Sequence, residues 1–160
     1  MAGAPTSAPN EEAELKKKRR SPYAQVAALP FRLGVKGRPE ILLVTSRETR
    51  RWIIPKGWPM PGRKDHRAAE REAYEEAGLK GQIGKKAVGK YRYDKRLGDG
   101  STVACAVKVF PLEVSDERKR WPEKKQRRRR WYRPAEAADL VNERDLQKLL
   151  LSFGAEIDRG

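Results

Sequence analysis

Short apolar runs separated by turn residues, together with two stretches of helical periodicity, set out the elements of this chain. Tyr23 to Arg32 (YAQVAALPFR) and Glu40 to Thr45 (EILLVT) have the length and content of buried strands, and the Gly34-Val35-Lys36-Gly37 turn between them predicts a hairpin-like pair. Trp52-Ile53-Ile54-Pro55 predicts a third short strand that Pro55 ends. Gly57, Pro59, Pro61 and Gly62 bend and stiffen the loop that follows. Lys80 to Tyr93 alternates as one or two strands, and the Asp-Gly step within Leu97-Gly98-Asp99-Gly100 supplies a turn. Thr102 to Val114 (TVACAVKVFPLEV) carries the longest strand signal, with Pro111 expected to end pairing or to sit at a bulge.

The helical stretches differ in character. From Asp65 to Gly78 the residues Ala69, Ala73 and Ala77 make a stripe of small side chains; Asp65 suits the N-cap, and Gly78 suits a left-handed C-terminal cap. Pro134 opens a second helix whose Ala138, Leu140, Val141, Leu146, Leu149 and Leu150 recur at helical spacing and predict packing on the sheet. Strands alternating with two helices give an α/β sandwich. The expected organisation is a flexible basic and polar tail over 1–20, one domain over 21–153 and a short C-terminal tail over 154–160, with no internal repeat.

Composition changes this picture at one point. The chain of 160 residues carries a net charge of +15, which predicts attraction to polyanions without saying which. Nucleic acid, an anionic membrane surface and a phosphorylated small molecule satisfy it equally. No run approaches 18 apolar residues, and residues 1–20 lack the apolar core of a secretory signal, so a cytoplasmic protein with no membrane partner is expected. The early glutamates argue against a mitochondrial targeting peptide; Lys16 to Arg20 is read as part of a solvated tail. Cys105, the single cysteine, is expected to be a buried structural thiol, and His66 a solvated first-turn residue.

The candidate chemistry lies on the first helix. Glu72, Glu75 and Glu76 are related by i,i+3 and i,i+4 spacing, so they share one face, where like charges repel. A hard divalent cation such as Mg²⁺ or Mn²⁺ would offset that repulsion. Taken alone, the spacing reads more readily as a solvated glutamate-rich face; the flanking residues reverse the balance. Gly57, then Arg71-Glu72-Ala73, then Glu75-Glu76, then Gly78-Leu79 resemble the Nudix box, G-x5-E-x7-R-E-U-x-E-E-x-G-U, with U a bulky apolar residue. The departures are Ala73, small where a larger apolar residue is usual, and Arg63, which stands in place of the first glutamate.

The resemblance implies a Nudix-type α/β/α sandwich, a mixed sheet between helices with a catalytic loop-helix-loop, and metal-dependent hydrolysis of a phosphoanhydride bond. It implies Glu72 and Glu76 as ligands of Mg²⁺ or Mn²⁺, Glu75 as a further ligand or general base, and a backbone carbonyl of Lys56 or Gly57 completing the set. Arg71 would hold the loop by pairing with a box carboxylate. The fragment Arg51-Trp52-Ile53-Ile54-Pro55, the step Leu79-Lys80-Gly81 and the arginines before Trp131 look most like diphosphoinositol polyphosphate and diadenosine polyphosphate hydrolases. That likeness implies Arg47, Lys95 and Arg127 as substrate contacts; Arg129, from the same arginine run, and Arg63, expected to point outward toward solvent or a bound phosphate, are further candidates. The basic run those enzymes carry in the first strand is here Ala24-Gln25-Val26, which keeps a dinucleoside polyphosphate in play beside a diphosphoinositol polyphosphate. Trp121, Trp131 and Tyr132 are either core residues or base stackers. An RNA 5′-end pyrophosphohydrolase and a non-catalytic polyanion-binding module are the alternative readings, and nothing in the sequence specifies an oligomeric state.

Overall fold

The computed structural model describes residues 23–159, so the expected tail over 1–20, with Lys16 to Arg20, lies outside the described residues. Eight strands form one sheet: β1 (Tyr23–Leu33), β2 (Pro39–Thr45), β3 (Trp52–Ile53), β4 (Lys56–Gly57), β5 (Leu79–Ile83), β6 (Gly89–Arg96), β7 (Thr102–Glu117) and β8 (Arg129–Tyr132). Among the described residues three helices accompany it: α1 (Asp65–Ala77), α2 (Pro134–Leu140) and α3 (Arg144–Arg159). The path through the sheet is β3-β2-β1-β7-β5, with β4 on β1, β6 on β7 and β8 on β2. β1 and β7 run parallel from Tyr23 opposite Cys105 to Phe31 opposite Glu113, and the other pairs are antiparallel.

The unbroken apolar run of β1 is explained by cover on both faces. Ala27 and Leu29 face a layer with Val107, Val109 and Tyr91 under α2 and α3, through Ala137, Val141, Leu146, Leu149, Leu150 and Phe153. Val26 and Ala28 face the other way, with Phe110 and Leu112, onto Ala68, Ala69, Ala73 and Ala77 of α1. Small side chains on α1 bring its backbone close to the sheet, so that the glutamates beside the stripe reach β4. This is the α/β/α sandwich expected from the sequence.

Several expectations are corrected. The N-cap of α1 is Lys64, with extended φ and ψ and no side-chain cap, and Asp65 is the first helical residue. Its carboxylate accepts instead from Lys108 Nζ at 3.0 Å. With the helix starting one residue earlier than expected, His66 turns inward against Phe110 and is buried rather than solvated. β7 runs straight through Pro111. A strand residue presents its N–H and C=O on the same side, and the Pro111 carbonyl accepts from Gly84 N–H, so the missing donor faces the junction between β6 and β5 and costs no bond to β1. The register shift lies at Lys80/Gly81.

The stretch from Pro134 is two helices, not one: Val141 is extended, its carbonyl accepts from Gln147 Nε2, and Leu140 is left exposed. α3 continues through Arg159, so residues 154–159 are helical rather than a tail, because Phe153 and Ile157 extend the stripe of Leu146, Leu149 and Leu150. Cys105 is buried, as expected, and burial pushes its thiol pKa up. Among the described residues no helix is long and apolar enough to cross a membrane.

Candidate active site

The loop and helix that carry the glutamates are held at both ends. Before α1, Gly62 takes φ +77°, a conformation glycine adopts without strain, as Arg63 N–H closes a turn on the Met60 carbonyl. After it, Gly78 takes φ 68° and ψ 30°, and its N–H bonds the Tyr74 carbonyl. Carbonyls at the helix end are satisfied from the charged segment that follows β7. Trp121 Nε1 donates to Glu76 O at 3.0 Å, and Arg129 Nη1 donates to Ala77 O at 2.7 Å. Arg129 also donates to Arg118 O and lies 4.0 Å over the Trp121 ring. The segment is tied down again by Glu123 N–H on the Glu75 carbonyl.

These ties bring the predicted ligands together. β4 lies against Val26 and Ala27 of β1, and Lys56 N–H donates to Glu76 Oε1 at 3.3 Å. The Glu72 carboxylate is packed so closely on Gly57 that a Cβ there would overlap it. A side chain at position 57 would push the Glu72 carboxylate, the free end of a flexible side chain, out of this place. Arg71 Nε donates to Glu75 Oε2 at 2.6 Å on the exposed side of the helix. Arg71 thus pairs with a box carboxylate, but one four residues along the same helix, so this bond does not itself tie the loop to the helix.

Burial pushes Glu72 up to about 8, followed by the charges of Glu76 and Glu75. Burial likewise pushes Glu76 up to about 7, opposed by Arg127 and Lys56. Lys56 is pushed down to about 8 by burial, against the pull of Glu76. Two carboxylates thus converge in a place where holding two negative charges is unfavourable. Among the described residues no three His, Cys, Asp or Glu side chains make a ready metal cage. The donor set that does converge, two carboxylates beside a glycine strand with its carbonyls, fits a hard cation that keeps several waters.

The expected substrate contacts divide. Arg127 reaches the site, but its side chain is only 7% exposed: Nε donates to Glu123 Oε1 at 2.6 Å, Nη1 to Thr45 O at 3.0 Å, and Nη2 lies 3.5 Å from Glu76 Oε2. Arg129 spends its donors on the carbonyls that end α1. Both arginines spend donors on the protein itself, the Arg127 side chain buried and Arg129 partly buried, because a buried carboxylate and a helix C-terminus each attract a cation. Arg47 stands at the rim, 3.5 Å from Gln126 Oε1. Arg63 is exposed on the loop before α1.

Lys95 lies near the Trp58 ring, which meets Tyr23 edge-on, and Lys56 Nζ lies 4.9 Å over Tyr93, whose hydroxyl donates to Gln25. The aromatic residues at this wall are Trp58, Tyr23 and Tyr93, not the expected Trp121, Trp131 or Tyr132. Trp121 lies under Arg129, Trp131 under Arg32, and Tyr132 against Trp52. Glu123 was missed from the sequence. Its charge acts on both Glu72 and Glu76, and its one sequence signal is that it is the sole acid between Glu117 and Glu136 in an otherwise basic stretch.

Comparison with known proteins agrees with this geometry. A family model described as NUDIX domain matches residues 23–152. Nudix hydrolase 12, mitochondrial, of Arabidopsis thaliana is 33% identical over 117 residues, spanning 71% of this chain and 58% of that protein. The chain thus spans a little over half the length of that relative. Diphosphoinositol polyphosphate phosphohydrolase 3-alpha of Mus musculus is 51% identical over a shorter stretch of 47 residues, 29% of each protein. Among solved structures, a C. elegans Ap4A hydrolase binary complex aligns with a TM-score of 0.64 at 21% identity, covering 86% of this chain and 99% of that one, a likeness of fold. A model match over most of the chain, coinciding with the glycine strand and glutamate helix that pack together here, places the chain in the NUDIX domain family.

Proposed function

We propose that this chain hydrolyses a phosphoanhydride bond in a polyphosphorylated small molecule, using Mg²⁺ or Mn²⁺ held by Glu72, Glu76 and a backbone carbonyl of Lys56 or Gly57. The observation that carries the reading is the Glu72 carboxylate seated on Gly57 beside Glu76, a carboxylate pair with no room for a side chain between helix and strand. When bound, the cation neutralises phosphate oxygens and lowers the pKa of a coordinated water. The protein's own groups do the rest. Glu75 is the proposed base, and Arg71 holds it in one orientation through the 2.6 Å bond. Arg127 holds Glu76 in place from the side opposite Lys56 and balances its charge.

Two substrate classes fit, a dinucleoside polyphosphate and a diphosphoinositol polyphosphate. The wall of Trp58, Tyr23 and Tyr93 with Lys56 and Lys95 favours the first, because an aromatic face stacks a base while a lysine meets a phosphate. A cytoplasmic setting belongs to the same proposal, although the Arabidopsis thaliana relative named above is called mitochondrial. The test is phosphate release from dinucleoside polyphosphates, inositol pyrophosphates and 5′-triphosphorylated RNA with each metal. Turnover on one of the first two that vanishes in Glu76→Gln, with the fold retained by circular dichroism, is the expected result. Turnover on the RNA alone would move the substrate to the nucleic-acid alternative. Binding of all three without release would make the chain a polyanion-binding module.

A further inference from the structure

We propose a second anion site, at the N-terminus of α1 on the sheet face opposite the Lys56–Tyr93 wall, that takes a small polyphosphate. A cavity of about 510 Å³ opens there, lined by Lys64, Lys85, Lys90 and Lys108 together with Asp65, His66 and the Phe110 ring. Strand alternation separates it from the Lys56–Tyr93 wall, and the first turns of α1 separate it from Glu72 and Glu76, which lie on the same side of the sheet. Lys108 and Phe110 alternate with Val107 and Val109, which pack under α3 with Tyr91, and Lys90 stands opposite Lys108 as Tyr91 stands opposite Val107. Tyr93 and Lys56 belong to that other face.

Three features make the cavity an anion receptor. Four lysines from the α1 cap, the β5–β6 loop, β6 and β7 converge on it, and the one carboxylate among its lining residues, Asp65, is paired with Lys108 at 3.0 Å. The N-cap of α1 makes no side-chain cap bond, so the first backbone N–H groups of a 13-residue helix have no cap partner there, and the first-turn carboxylate of Asp65 is engaged by Lys108. Independently, His66 is only 7% exposed, lines the cavity, and among the described residues has a ring contact with Phe110 but no hydrogen-bond partner. Its ring nitrogens are not sealed from solvent, so they open on the cavity, where a ligand or water can partner them. Lysines act as point charges without the fixed fork of arginine, which suits an anion with several phosphates, and the volume exceeds what one orthophosphate fills.

The site is independent of the catalytic proposal and is tested without divalent metal. Sodium tripolyphosphate is titrated into the ¹⁵N-labelled full chain in EDTA at low ionic strength. Saturable shifts of the Asp65 and His66 amides are expected, weakened by roughly tenfold in a Lys90→Ala/Lys108→Ala double variant and screened by added salt. Lys95→Ala, on the other face, leaves them unchanged. The absence of saturable shifts at these amides in the wild type, or equal shifts in the double variant, overturns the proposal. Larger shifts with a single-stranded RNA oligonucleotide than with tripolyphosphate overturn the assignment to a small anion.

Discussion

Replacing Arg127 by methionine tests whether this arginine holds the carboxylate site together rather than greeting substrate. Its side chain is 7% exposed and meets Glu123 at 2.6 Å, the Thr45 carbonyl at 3.0 Å and Glu76 at 3.5 Å. Methionine fills similar volume and removes all three donors. Breaking a buried charge pair by taking one partner costs about 3–5 kcal/mol, and the orphaned Thr45 carbonyl and the lost charged bond to Glu123 give the same order when counted separately. For a chain of this size that is a fall in Tm of roughly 6–20 °C.

The loss also depends on pH. Glu76 already sits near 7, raised by burial and held down by Arg127, so removing the arginine raises it further. A carboxylate with a raised folded pKa contributes stability below its unfolded pKa and loses it as pH rises through the folded value. The variant's deficit relative to wild type should therefore be larger at pH 8.5 than at pH 6, and saturating Mg²⁺ should recover part of it by replacing the lost positive charge at Glu76. The assay is thermal unfolding of both proteins in EDTA at the two pH values, repeated with Mg²⁺. A deficit below about 3 °C at pH 8.5, or an equal deficit at both, refutes the reasoning.

Gly57→Ala should cost at least about a hundredfold in kcat/KM, because its Cβ displaces the Glu72 carboxylate; activity kinetics check it, and near wild-type turnover would remove Gly57 from the site. In EDTA the wild type should lose a contribution to stability as pH rises from about 5 to 8, since Glu72 and Glu76 are raised to about 8 and about 7; melting in a Glu72→Gln/Glu76→Gln variant should show that slope reduced. Arg129→Ser should lower Tm by several degrees by freeing the carbonyls at the end of α1, with KM little changed, whereas a KM effect at constant Tm would return Arg129 to the substrate. Arg63→Glu should leave Tm and kcat within error if the exposed Arg63 is only a tolerated departure; a selective rise in KM would make it a phosphate contact.

The sequence by itself determined the elements whose signals are local. Alternation and apolar runs mark the strands, Pro134 and Gly78 mark helix ends, and the spacing of Glu72, Glu75 and Glu76 puts them on one face whatever the helix packs against. The glycine at position 57 was legible through the resemblance to the Nudix box, which sets a glycine at that distance before the glutamates. What tertiary structure decided is which charges are spent. A run of arginines has no local pattern that separates a solvated cation from a buried one, so Arg127 and Arg129 read as substrate contacts until the fold laid them against Glu76 and the end of α1. Glu123 joined the site for the same reason: it lies 47 residues from Glu76 in the chain, and only the docking of the segment after β7 onto α1 brings its charge near. The break at Val141 and the inward turn of His66 were settled by packing, since each depends on a neighbour, Gln147 or Phe110, whose position no local periodicity specifies.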